Sequence, residues 1–140
     1  MSEVSDRYRT ITDAFTTRVE GVRPDHWSAQ TPCTEWNARQ LLDHVVGVHR
    51  MALAALAGTG PVPTGPDDDL VAAWRADSAE IRRALADPAT AATLTTAGPF
   101  GEQPFEQIVS TLICTDTLIH VWDLARATGQ DERLDRKSVV

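Results

Sequence analysis

Four stretches of this sequence repeat apolar residues at steps of three and four, and none alternates apolar with polar residues convincingly, so the chain must be built from helices. Tyr8, Ile11, Phe15, Val19 and Val22 mark the first, from about Val4 to Val22. Gly21-Val22-Arg23-Pro24 ends it, glycine by allowing a left-handed exit and proline by interrupting the hydrogen-bond ladder. Leu41, Val45, Val48, Ala52 and Ala55 mark the second, which ends near Gly58; Thr34 is expected to cap it and Glu35 to suit the positive end of its dipole. Asp67-Asp68-Asp69 opens the third, Leu70, Trp74, Ile81 and Leu85 continue it, and Asp87-Pro88 closes it. A fourth runs from about Phe105 to Ala127, with Gly129 just beyond.

Four antiparallel helices of roughly 15–23 residues make a four-helix bundle, so the expected fold class is all-α, a single domain over residues 1–140. Two stretches are expected as long loops. One is 59–69, dense in glycine and proline; the other is 89–104, whose threonines and Gly98-Pro99-Phe100-Gly101 read as an ordered loop more than a strand. Either is long enough to shape a pocket mouth. There is no internal repeat or low-complexity tract.

The charge balance narrows the function. Thirteen Lys and Arg stand against 20 Asp and Glu, a formal charge of −7, with no basic run. That excess of acid excludes nucleic acid as a partner, because affinity for phosphate backbones comes from Lys and Arg displacing counterions. Charged residues occupy the opening Met1 to Arg7, where a signal peptide needs an apolar stretch, and no segment is expected to approach the ~20 apolar residues that span a bilayer. The chain reads as soluble and cytoplasmic, without a membrane partner. Cys33 and Cys114 stand alone and read as reduced thiols.

The last helix carries the most informative feature. At about 100° per residue with Leu112 at zero, Phe105, Val109, Asp116, His120, Asp123 and Ala127 all fall within roughly 80° of one another. Asp116, His120 and Asp123 are spaced i, i+4, i+7, so groups able to ligate metal or exchange protons project from successive turns of an otherwise apolar face. Burying a carboxylate and an imidazole costs several kcal/mol unless they pair or bind a cation. Two arrangements without metal compete: a buried Asp116–His120 hydrogen-bonded pair, or a helix rotated so that Leu118, Ile119 and Trp122 face the core.

A metal site would need a ligand from another helix, and the second offers His44 and His49. His49 lies nearer the centre of its apolar arc and suits a core histidine, while His44 sits at the edge, beside Val48 and Met51. Periodicity leaves the choice open. His26, beside Trp27 in a loop, is expected to be exposed. Two histidines and one carboxylate suit Zn²⁺, with Ni²⁺ or Fe²⁺ as alternatives, and leave coordination positions open for water or a thiol. Asp123 could orient a ligand as a hydrogen-bond acceptor.

Three motifs carry a resemblance. They are the run from Trp27 to Asn37 containing Thr31-Pro32-Cys33-Thr34-Glu35-Trp36, then Leu41-Leu42-Asp43-His44-Val45-Val46-Gly47, then Asp116 to Gly129 with His120-Val121-Trp122-Asp123-Leu124-Ala125. Together they resemble the DinB-like superfamily, in the branch similar to the metal-binding domain of mycothiol-dependent maleylpyruvate isomerase and its small single-domain relatives. The resemblance implies a DinB-like four-helix bundle with a divalent metal, and residue by residue it selects His44 over His49 and carries the other two ligand roles to Asp116 and His120. Asp116 stands where the isomerase has Glu. The isomerase also has a further domain that helps close its active site, so isomerisation of maleylpyruvate itself is not carried over to this sequence.

The implied chemistry is a metal-dependent transferase or isomerase reaction joining a small electrophile to a low-molecular-weight thiol, with mycothiol as co-substrate. Two other classes stand beside it: a non-catalytic binding or dimerisation module, and a metal-dependent hydrolase using bound water. Arg39, Arg50 and Arg126 could receive anionic groups, though each reads first as a solvated helix residue. Cys33 reads first as a small residue in a turn, and second as a thiol activated by a helix N-terminus. Cys114 reads as packing, and Trp27, Trp36, Trp74 and Trp122 as core or core-rim anchors. A symmetric homodimer is the default oligomer. The stretch from Asp131 to Val140 is expected to pack on a partner or fray.

Overall fold

The first three long helices each start where a short polar side chain accepts a free backbone N–H. In the computed structural model, which describes residues 2–97 and 101–133, Ser2 caps α1 (Glu3–Glu20) by accepting from the Ser5 N–H at 3.1 Å. Helix α2 (Ala38–Ala57) is capped by Asn37, whose side chain accepts from the Gln40 N–H at 2.9 Å while the Gln40 side chain accepts from the Asn37 N–H at 3.0 Å. This corrects the expectation for Thr34: the reciprocal pair satisfies two donors, and the cap falls three residues later. Asp69 caps α3 (Leu70–Ala86) as the acidic run suggested.

The last long helix is composite. A short α5 (Phe105–Ile108) passes through a π-helical turn, Val109–Ile113, into α6 (Cys114–Ala127). On an unbroken wheel, buried Phe105, Ile108 and Val109 centre roughly 110° away from buried Ile113, Thr117, His120, Val121 and Leu124. The extra residue of the π turn brings both arcs to one side. Leu112, taken as the reference of a uniform stripe, is consequently only half-buried.

These four helices form the bundle, an all-α architecture as expected, with one departure. Residues 89–104 are not an uninterrupted loop. A short α4 (Pro88–Ala91) leads into β1 (Leu94–Thr96), which pairs antiparallel with β2 (Glu102–Pro104), Thr95 opposite Gln103. Three-residue strands are too short to show alternation, but the β-branched Thr95 is buried between exposed Leu94 and Thr96. Residues 98–100 of the expected loop, and 134–140 of the C-terminal stretch, lie outside the described residues.

The core has two clusters. Phe15, Leu41, Val45, Trp74, Val121 and Leu124 anchor one, and Tyr8, Ile11, Ile81, Phe105, Val109 and Ile113 the other. His49 joins them, packed edge-on to Trp74 at 4.9 Å and tilted against Tyr8 at 5.9 Å. It is fully enclosed, and both ring nitrogens are used, Nδ1 with the Val45 carbonyl at 2.9 Å and Nε2 with the Tyr8 hydroxyl at 2.8 Å.

Two glycines act differently. Gly58 takes φ 73° at the end of α2, where an L side chain would be strained. Gly21, at φ −84°, makes no left-handed exit; its missing side chain instead admits Gln130, whose Oε1 would lie 2.3 Å from a Cβ there. Gln130 Nε2 donates to the Arg18 carbonyl at 2.8 Å, and Arg18 donates to the Asp131 and Arg133 carbonyls. The start of the C-terminal stretch therefore packs on α1.

One further expectation is corrected. The stretch Phe105–Ala127 is 23 residues long with a window hydropathy of 1.3, long and apolar enough to cross a membrane by length and composition, because its acidic and histidine residues are few. Half of that window is buried within the bundle, where the helix serves as a core element.

Candidate metal centre

His44 comes one and a half turns after the Asn37–Gln40 capping pair, on the side of α2 that faces α6. There its Nε2 lies 3.0 Å from Asp116 Oδ1, and His120 Nε2, one turn beyond Asp116, lies 3.4 Å from the same oxygen. The two imidazoles meet edge to face with centroids 5.1 Å apart. His120 is buried, while His44 and Asp116 are half-buried at the rim of the bundle. The structure thus brings His44, Asp116 and His120 together and leaves His49 in the core.

The rotated-helix alternative fails on exposure. Ile119 and Trp122 are 50% and 53% exposed and point outward while the polar set points inward; of that face, half-buried Leu118 does pack against the core. Trp122 is accordingly not a core anchor.

The donor set suits a divalent cation. One ligand atom from each of the three residues lies within 4.8 Å of the others. A tetrahedral ion about 2.0–2.2 Å from nitrogen and oxygen ligands separates them by about 3.4 Å, close to the spacing seen here. Asp116 Oδ2 is enclosed and has no hydrogen-bond partner among the described residues, an unsatisfied acceptor beside two imidazoles. His120 Nδ1 lies 2.9 Å from Asp123 Oδ2, and with the ring proton on Nδ1 this contact turns the Nε2 lone pair toward Asp116 and His44.

Burial opposes charge on Asp116, but the hydrogen bonds of His120 and His44 outweigh it and hold its carboxyl well below the usual range. Burial likewise opposes charge on His120, and Asp116 with Asp123 overcomes it, raising the imidazole above its ordinary value. The ring binds a proton readily because it sits between two carboxylates, and the same field favours any cation placed there.

The loop before α2 presses on this centre. Thr31 Oγ1 and Gln30 Nε2 both donate to the carbonyls of Cys33 and Trp36, closing residues 31–36 into a tight turn. Trp36 stacks on His44 with centroids 4.4 Å apart and planes at 28°. Cys33 Sγ approaches Asp123 Oδ2 at 3.9 Å. Because α2 begins at Ala38, Cys33 does not sit at a helix N-terminus, and burial and the Asp123 carboxylate push its thiol up rather than activating it. The stacking of Trp36 was not legible in the periodicity; the dense Thr31-to-Trp36 run was its only signal. Cys114 is buried in packing, its thiol pushed up to about 11 by burial.

Other candidates fall elsewhere. Arg39 donates to the Pro66 and Asp68 carbonyls, and Arg50 to Asp77 and the Val62 carbonyl, so both pin the 59–69 loop and are not simply solvated. Arg126 is exposed beside Glu132 at 3.4 Å. His26 is half-buried, not exposed, with Nδ1 enclosed and unpartnered among the described residues, because the 3₁₀ turn Pro24–His26 folds it inward. The 59–69 loop borders two clefts of about 320 Å³ each, but neither is lined by the three clustered residues. The cleft beside the centre is instead formed by Pro32 to Trp36, about 310 Å³, and meets a second of about 250 Å³ at Pro32, bordered by Trp122, Asp123 and Arg126.

Comparison with known proteins identifies the family. The family described as the mycothiol maleylpyruvate isomerase N-terminal domain matches residues 8–125. Two uncharacterised proteins of Mycobacterium tuberculosis, from strains CDC 1551 / Oshkosh and ATCC 25618 / H37Rv, are each 39% identical over 128 residues, 91% of this chain and 69% of theirs. No solved structure gives a significant match. The family match takes in both helices that bear the clustered residues, and the chain belongs to the mycothiol maleylpyruvate isomerase N-terminal domain family.

Proposed function

We propose that this chain binds a divalent cation, Zn²⁺ before Ni²⁺ or Fe²⁺, through His44 Nε2, Asp116 and His120 Nε2, and joins a low-molecular-weight thiol of the mycothiol type to a small electrophile. The observation that carries this reading is the Asp116 carboxylate, set between two imidazole Nε2 atoms with its second oxygen enclosed and unsatisfied. A cation bound there would lower the pKa of a thiol so that thiolate forms at neutral pH.

The chain's own groups prepare that site. Asp123 holds the Nδ1 proton of His120, Trp36 covers one face of His44, and the cleft of about 310 Å³ beside Trp36 has room for a small ligand. A cytoplasmic location fits, since low-molecular-weight thiols stay reduced there and the long apolar helix is engaged in the bundle.

Elemental analysis of the purified chain tests the metal: about one divalent ion per chain is expected for wild type and none for His120→Ala. Turnover of a thiol with an electrophile, present in wild type and lost in His44→Ala with helicity intact, is expected next. Metal without turnover would leave a binding module; turnover indifferent to added thiol would point to hydrolysis. No metal in either protein after dialysis against Zn²⁺, Ni²⁺ and Fe²⁺ would overturn the reading.

A further inference from the structure

The geometry points to a second cation site, formed by Cys33 Sγ, His120 Nδ1 and Asp123 Oδ2 and suited to a soft, thiophilic divalent ion such as Cd²⁺ or Zn²⁺. These three atoms come from two separate segments and lie within 4.8 Å of one another. The sulfur–oxygen separation is 3.9 Å and the nitrogen–oxygen separation 2.9 Å. Tetrahedral coordination at ordinary zinc–ligand distances calls for about 3.6 Å and about 3.4 Å, so each pair moves by roughly half an ångström or less.

His120 belongs to both donor sets through opposite ring nitrogens, and its tautomer chooses between them. With the proton on Nδ1, that N–H is donated to Asp123 and the Nε2 lone pair faces Asp116 and His44. With the proton on Nε2, that N–H faces Asp116 Oδ1 at 3.4 Å and the Nδ1 lone pair faces Cys33 and Asp123. Either way, the carboxylate of the unused set becomes the acceptor that orients the ring. The sets differ in softness: two nitrogens and a carboxylate in one, a thiolate, a nitrogen and a carboxylate in the other. Cys33 borders the open cleft of about 310 Å³, so an ion can reach it without passing through the first set. On binding, a sulfur–metal bond forms, the Cys33 S–H bond breaks, and the proton leaves to water.

Cd²⁺ titration of the full chain, followed by thiolate-to-cadmium charge-transfer absorption, tests this separately from the first reading. His44→Ala and, as a second variant, Asp116→Asn remove the first set and spare the second. Either variant, with helicity intact, is expected to give the thiolate band at about one Cd²⁺ per chain, and Cys33→Ser is expected to lose the band while still holding Zn²⁺ through the first set. No band in both His44→Ala and Asp116→Asn would overturn the inference, as would a band that persists in Cys33→Ser. Loss of Zn²⁺ from Cys33→Ser as well would count against the first reading and not against this one.

Discussion

Acidification from neutral pH should weaken this fold by about 3 kcal/mol through His49 alone. The ring is fully enclosed between Tyr8 and Trp74, with Nδ1–H donated to the Val45 carbonyl and Nε2 accepting from the Tyr8 hydroxyl, a pattern that suits the neutral imidazole. Burial lowers its pKa, and the Val45 carbonyl and Asp116 only partly offset this, leaving it at about 4 against an ordinary 6.5. Between those values the unfolded chain binds a proton that the folded chain refuses, so stability falls as pH falls from 6.5 to about 4. A gap of about 2.5 pH units, at ~1.36 kcal/mol each, amounts to about 3 kcal/mol. The other shifted groups of the centre act outside this window. His120, raised, contributes stability that is complete below its ordinary pKa and lost at higher pH, and Asp116, lowered, contributes stability that persists until pH falls below its ordinary 3.8. Urea unfolding of the chelator-treated chain, followed by helical circular dichroism across this range, measures the slope. His49→Gln should lose roughly 1–3 kcal/mol at neutral pH, from disturbed hydrogen bonds, but should lack the acid slope. A wild type flat from pH 6.5 to about 4, or a variant with the wild-type slope, would refute the argument.

Three further outcomes are expected. Trp74→Ala, which empties the space against Phe15 and His49 and strands Thr16, should cost about 3–5 kcal/mol, read as a lowered urea midpoint; a loss below about 1 kcal/mol would contradict the core described here. Asn37→Ala removes half of the capping pair and should cost about 1 kcal/mol, while amide exchange in residues 31–36 speeds up because the Gln30–Asn37 bridge loosens. Asp123→Ala should weaken Zn²⁺ binding by about 10- to 100-fold in a chelator competition, with loss of the Nδ1-protonated signature of His120 in nitrogen NMR; unchanged affinity would show that Asp123 does not orient the ring.

Much of this architecture follows from local rules. Helical periodicity depends only on the 3.6-residue repeat, so the four long helices could be read from Tyr8–Val22, Leu41–Ala55, Leu70–Leu85 and Phe105–Ala127, and the Asp116, His120, Asp123 spacing stood out because charge interrupts an apolar face. The same repeat set His49 nearer than His44 to the centre of the second helix's apolar arc but did not choose between them. Ends and registers were less legible. Thr34 and Asn37 are both competent caps, and only the reciprocal bond to Gln40 decides between them. A π turn leaves no mark on a wheel drawn at constant pitch, so the rotation at Val109–Ile113 could not be anticipated.

The sequence by itself determined the helices and the residue types available for chemistry, because both depend on near neighbours along the chain. The tertiary structure alone decided which of them meet. It set His44 against Asp116 across 72 residues of chain, laid Trp36 over His44, and brought Cys33 to Asp123 across 90. Such contacts depend on how helices are rotated and how loops close, and those follow from the packing of the whole core. His120 shows both levels at once: its spacing from Asp116 and Asp123 is written in the chain, while the meeting of its two nitrogens with His44 on one side and Cys33 on the other depends on the fold.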